Sequence, residues 1–134
     1  MQTLKNLLLS IGISNSEIPF PQMPISDIVY DSRKARDGVI FVCIVGAVAD
    51  GHKYAKSAYD TGVRVFVCER PLDLPSDALV FLVENTRRAL ASLSACIFDH
   101  PEKKLRVIGV TGTKGKSTIC EMIRHILNLM KHSK

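Results

Sequence analysis

Apolar residues at Leu4, Leu7, Leu8 and Ile11 recur at helical spacing, and Gly12 follows where a helix is expected to close. The stretch "FPQMP" (20–24) breaks that pattern, and Ile25–Tyr30 reads as a strand running into the polar triplet Asp31-Ser32-Arg33. Val39–Val45 is a continuous apolar run, as expected for a strand covered on both faces. Beyond Gly46, Ala55, Ala58 and Tyr59 share one face of a helix closed by Gly62, and Val63–Cys68 is the next strand. Two prolines mark "RPLDLPSD" as a loop, and Ala78–Val83 reads as another buried strand. Asn85 or Thr86 can cap a helix whose core stripe is Leu90, Leu93, Ile97 and Phe98, with Pro101 as its stop. A polar connector, "EKK", leads to a strand at Leu105–Val110, a glycine-rich loop and a helix to about Met130. Strands alternating with helices predict an α/β fold.

Composition narrows the class without naming a function. The chain has 134 residues, 46% hydrophobic and 23% charged, enough for a domain with its own core and unlike a disordered segment. No apolar run approaches the length of a membrane span. The opening "MQTLKNLLLSIGISN" lacks both a long apolar core and a small-residue cleavage site, so a cytoplasmic protein without a signal peptide is expected. Cys43, Cys68, Cys96 and Cys120 form no C-x-x-C pair and sit among apolar neighbours, which predicts reduced, buried thiols. The net charge of +5 suits anionic partners, but Lys and Arg are spread along the chain and Trp is absent. That distribution reads as a solvated surface and points away from nucleic acid and membranes.

The stretch Val110–Thr118, "VTGTKGKST", carries the chemistry. An apolar strand, a glycine turn and Lys-Ser opening a helix form a phosphate cradle, because backbone N–H groups and the helix dipole converge on the anion. Lys116 would reach the outer phosphates and the Ser117 hydroxyl would ligate Mg²⁺. The strict G-x-x-x-x-G-K-[ST] spacing is not met, since five residues before Gly115 stands Val110. The shorter loop here is Gly112-Thr113-Lys114-Gly115-Lys116-Ser117, with Thr118 following, and it predicts a mononucleotide site.

Taken with "YDSR" (30–33), Gly46, "ADGH" (49–52), "ENTRRALASLSA" (84–95) and "VIGVTGTKGKST" (107–118), this loop makes the chain resemble the Mur ligase family of peptidoglycan synthesis. The resemblance covers the whole chain but only the opening part of such a ligase. It implies a small N-terminal α/β domain over residues 1–102 that holds the uridine end of the substrate. The first strand, P-loop and helix of a central ATP-binding domain would occupy 103–134. It further implies that Tyr30, Ser32, Ala47, Val48 and Ala49 contact substrate, and that Gly112, Thr113, Lys114, Gly115, Lys116, Ser117 and Thr118 cradle ATP, with Ser117 on Mg²⁺. Ala47-Val48 stands where the family often has His-Gln, leaving only backbone or apolar contacts there, and Lys114 stands where Asn is more frequent.

The implied reaction is ATP-dependent amide formation: a diamino acid, L-lysine or meso-diaminopimelate, is joined to UDP-MurNAc-L-Ala-D-Glu. No catalytic residue is expected within this stretch, so the chain alone should be inactive. The related ligase adding D-Ala-D-Ala, or a stand-alone UDP-sugar-binding module, are the alternatives. An unrelated P-loop kinase fits poorly, because about 16 residues after Thr118 are too few for another crossover and strand. The apolar stripe Ile119, Met122, Ile123, Ile126, Leu127 and Met130 predicts that residues 105–134 either fray or dock on the first domain or a second copy.

Overall fold

The computed structural model describes residues 2–14, 18–47 and 49–131. They divide into two compact units, Met1–Pro101 and Glu102–Lys134.

In the first unit, a short strand β1 (Gln2–Thr3) runs into α1 (Leu4–Leu9), where Leu4, Leu7 and Leu8 are fully buried. Gly12, at φ +84°, reverses the chain, and the Ile13 N–H reaches back to the Leu8 carbonyl at 3.1 Å. The strand expected over Ile25–Tyr30 is split. β2 (Pro24–Ile25) pairs antiparallel with β1, whereas β3 (Asp27–Val29) joins the main sheet. The switch falls at Ser26, whose N–H and hydroxyl both donate to the Gly38 carbonyl.

The main sheet is wholly parallel, in the order β3, β4 (Val39–Val42), β5 (Val65–Cys68), β6 (Leu79–Leu82). Helix α2 (Ala55–Asp60) lies on one face, and α1 with α3 (Thr86–Ile97) on the other. The two-residue period of a strand explains the split of the core. Ile40, Val42, Val65 and Val67 point to α1 and α3, while Val39, Phe41, Phe66 and Cys68 point to Ala55 and Ala58 of α2. Central strands covered on both faces are apolar at every position, and β4 and β5 are buried throughout.

Four expectations are corrected here. The ladder of β4 stops at Val42, because the Ile44 N–H turns back onto the Val42 carbonyl at 3.1 Å. β6 is an edge strand and not a buried one: Phe81 is covered but Leu82 is 54% exposed. Asn85 is the cap of α3, its side chain accepting from the Arg88 N–H at 2.9 Å, but the core stripe stops short of Phe98, which is 70% exposed. Pro101 opens the one-turn helix α4 (Pro101–Lys104) after α3 has already ended, with Asp99 and His100 in left-handed conformations between them.

The second unit holds α5 (Lys116–Lys131), as expected from the sequence, but Leu105–Val110 is not a strand. An extended segment becomes a strand only when a neighbour takes its N–H and C=O groups, and among the described residues no strand pairs with it. Two cysteines also depart from expectation: Cys43 and Cys68 are buried, but Cys96 is only half-buried and Cys120 is exposed. No helix among the described residues is long and apolar enough to cross a membrane.

Candidate ligand-binding cleft and phosphate loop

All four main strands run the same way, so their carboxyl ends line up along one edge of the sheet, where open α/β sheets place ligands. A cleft of about 500 Å³ opens there. Tyr30, just after β3 and 62% exposed, lines one side. The loop after β4 contributes Ile44, Gly46, Ala49 and Gly51; Tyr54 follows, and α3 contributes Arg87 and Leu90.

The β4 loop is held by its own backbone. The Gly46 N–H donates to the Ala49 carbonyl and the Gly51 N–H to the Ile44 carbonyl, both at 2.8 Å, and Val45 bridges Asp50. Gly51 is required by close approach, since a Cβ there would lie 2.7 Å from the Ile44 backbone nitrogen. Arg87 spans to this loop from α3, donating to the Val45 carbonyl at 3.1 Å.

Beneath the loop runs a polar chain. Asp50 caps the single turn Gly51–Tyr54, accepting from the His52 N–H at 3.0 Å, and pairs with the His52 ring and with Arg70. The Arg70 guanidinium, then the His52 ring, hold the Asp50 carboxyl well below the usual carboxylate range. His52 Nε2 accepts from the Glu69 N–H at 3.2 Å. The Glu69 carboxylate in turn accepts from the N–H and hydroxyl of Thr86, at 2.7 and 2.8 Å, and both bonds lower its pKa.

Of the residues singled out in the sequence, Tyr30 and Ala49 meet in the cleft. Ser32 is half-buried at the start of a turn, Ser32–Lys34, and Ala47 is exposed on the β4 loop; neither lines the cleft. Val48 lies outside the described residues. The Ser32 turn is capped by Asp31, which Arg33 grips through three guanidinium hydrogen bonds at 2.9, 3.1 and 2.6 Å. Those bonds lower the Asp31 carboxyl to about 2. Sequence reasoning missed Ile44, Gly51, Tyr54, Arg87 and Leu90. Gly51 and Arg87 sit inside the quoted stretches "ADGH" and "ENTRRALASLSA", but nothing in the residue types alone sets Arg87 apart from Arg88.

In the second unit the loop before α5 bends over residues 112–114, with Gly112 at φ +149° and Gly115 at φ +77°. Both values favour glycine. The Lys116 ammonium donates to the Gly112 carbonyl, closing the turn, and Ser117 lies in the exposed first turn of the 16-residue helix. Exposed amides at a helix start, a lysine over the turn and a nearby hydroxyl fit a phosphate group. Among the described residues there is no cluster of three His, Cys, Asp or Glu side chains for a metal.

Residues 24–96 match the Mur ligase family, catalytic domain. The UDP-N-acetylmuramoyl-L-alanyl-D-glutamate–2,6-diaminopimelate ligase of Clostridium botulinum is 44% identical over 125 residues, covering 91% of this chain and 26% of that protein. A crystal structure of MurF from Acinetobacter baumannii superposes with TM-score 0.72 at 32% identity, over 94% of this chain and 27% of that one. MurF from Thermotoga maritima, solved in complex with ADP, gives TM-score 0.55 at 27% identity, over 79% of this chain and 22% of that one. The chain thus spans about a quarter of the length of the relatives it matches.

Proposed function

Because the chain belongs to the Mur ligase family, we propose that its first unit binds the uridine diphosphate end of UDP-MurNAc-L-Ala-D-Glu in the cleft at the carboxyl edge of the sheet. The observation that carries this is the meeting of Tyr30, the Gly46–Ala49 turn and Arg87 around one cavity. An aromatic ring can stack on a base, turn amides can read its polar edge, and a guanidinium can take phosphate oxygens. Ser32, Ala47 and Val48 are proposed as further substrate contacts on the strength of the family motif alone.

The second unit is proposed as the opening of an ATP-binding domain. Gly112, Thr113, Lys114, Gly115, Lys116, Ser117 and Thr118 would hold the nucleotide phosphates, with Ser117 on Mg²⁺. In the parent ligase the γ-phosphoryl group passes to the D-Glu carboxylate. The amine of a diamino acid then displaces phosphate from the acyl phosphate, giving an amide, ADP and inorganic phosphate. The name of the Clostridium botulinum relative favours 2,6-diaminopimelate as that amino acid, over L-lysine and over the D-Ala-D-Ala of MurF. The reading is cytoplasmic, where the nucleotide substrates are supplied.

Titration of the ¹⁵N-labelled chain with UDP and with UDP-MurNAc-L-Ala-D-Glu tests this. Shifts should concentrate on Tyr30, Gly46, Ala49 and Arg87. No response to either ligand, or shifts confined to α5, would remove the assignment.

A further inference from the structure

We propose that His52, held as its Nδ1–H tautomer between Asp50 and the Glu69 amide, is the positioning residue that fixes the β4-loop wall of the cleft. The tautomer follows from the partners. Nε2 faces an N–H donor, the Glu69 amide at 3.2 Å, so it carries a lone pair. Nδ1 faces a carboxylate oxygen at 2.7 Å, which can only accept, so it carries the proton. Both ring nitrogens are engaged and the side chain is 4% exposed, which excludes ligand contact or proton transfer to a ligand.

What the ring does is join three elements. Through Asp50 it grips the end of the loop that carries Gly46 and Ala49. Through the Glu69 N–H it is anchored where β5 ends. Glu69 continues to Thr86, the first residue of α3, and the next residue is the cleft-lining Arg87. Loop, strand end and helix start are thereby held at set positions around the cavity. A space-filling role would need only bulk at this site; the bonding pattern needs an acceptor where Nε2 stands. That the ordered wall serves a UDP ligand rests on the reading above, whereas its dependence on His52 does not.

The test uses the whole 134-residue chain. Long-range ¹H–¹⁵N correlation should find His52 protonated on Nδ1 and bare on Nε2; the opposite tautomer overturns the proposal even if no variant folds. His52→Gln can place its amide oxygen near the Nε2 position, while His52→Leu keeps apolar bulk with no bond. Gln, which keeps the acceptor for the Glu69 N–H but not the ring bond to Asp50, should disturb the Gly46, Ala49 and Gly51 amides less than Leu does and keep UDP affinity within about threefold. Leu should shift those amides and weaken UDP by about tenfold, with the Val39–Val42 amides unmoved. A Leu variant matching or exceeding Gln overturns the positioning role. Should wild type ignore UDP altogether, the UDP reading falls, and the order of the loop amides in the two variants still decides for or against His52.

Discussion

Thr86 donates twice to one oxygen of the Glu69 carboxylate, through its N–H at 2.7 Å and its hydroxyl at 2.8 Å, and so ties the start of α3 to the end of β5. Thr86 is fully buried, so its hydroxyl has no water to fall back on. Thr86→Val keeps the shape and removes that bond. It should cost about 1 kcal/mol in urea unfolding. An unchanged midpoint would show that the hydroxyl is dispensable.

Acid should weaken the fold through the same region. The carboxyls of Asp50, Glu69 and Asp77 are lowered by hydrogen bonds to Arg70, Thr86 and Tyr59 respectively, and Asp31 is lowered by Arg33 to about 2. A depressed folded pKa means that the unfolded chain binds more protons in acid. The stability from these groups is therefore full above their ordinary values of 3.8 and 4.5 and lost as pH falls through the folded ones. Urea midpoints should be flat near neutrality and drop below about pH 4.5. Asp50→Asn should lower the midpoint at pH 7 and flatten the acid limb, and a variant with an unaltered acid slope would discount the Asp50 contacts.

Gly51→Ala is expected to damage the cleft without touching a ligand. Its Cβ would fall 2.7 Å from the Ile44 nitrogen and 2.9 Å from the Ile44 oxygen, both backbone atoms that cannot swing away. Overpacking of this kind costs about 1–3 kcal/mol. UDP-induced shifts at Ala49 should shrink with the loss of stability. Wild-type stability in this variant would mean that the Ile44–Gly51 contact yields easily.

The residues of the central strands revealed themselves because burial on both faces leaves a strand no polar position, as in "VIFV" and "VFVC". Where β4 ends did not show, because Cys43, Ile44 and Val45 continue the apolar run while the chain is already turning. Leu105–Val110 has the same apolar look as a strand, but pairing is a property of a neighbour and not of the segment. Tyr30 and Ala49 could be picked out from the motifs around them. Arg87 could not: it is adjacent to Arg88 and identical to it. Only the phase of α3 sends Arg87 to the Val45 carbonyl and Arg88 to a separate groove beside Gly12.

The cysteines should separate by reactivity. Burial pushes the Cys43 and Cys68 thiols up to about 12 and 11, so almost no thiolate forms at neutral pH. Cys120 is exposed on α5. A thiol reagent at pH 7.5 should label Cys120 first, Cys96 more slowly, and Cys43 and Cys68 only on unfolding. Peptide mapping that finds Cys43 modified as fast as Cys120 in the folded chain would contradict the buried core face between β4 and α2.

The phosphate loop can be tested apart from any turnover. Gly115 at φ +77° turns the chain into α5, so the amides of the first helical turn point outward beside Lys116 and Ser117. An anion placed there gains the helix dipole, and a lysine charge roughly doubles the strength of the hydrogen bonds it joins. ADP with Mg²⁺ should therefore shift the Gly112, Gly115 and Ser117 amides. Lys116→Ala should weaken that binding by about tenfold or more, with α5 itself intact. Gly115→Ala should weaken it as well, because an L side chain is strained at that φ and the turn must open. The chain should release no phosphate from ATP when UDP-MurNAc-L-Ala-D-Glu is added, since a cradle supplies only part of what phosphoryl transfer needs. ADP shifts that survive Lys116→Ala unchanged would remove the loop from the nucleotide site. Substrate-dependent phosphate release abolished by the same substitution would show that these 134 residues already carry the chemistry.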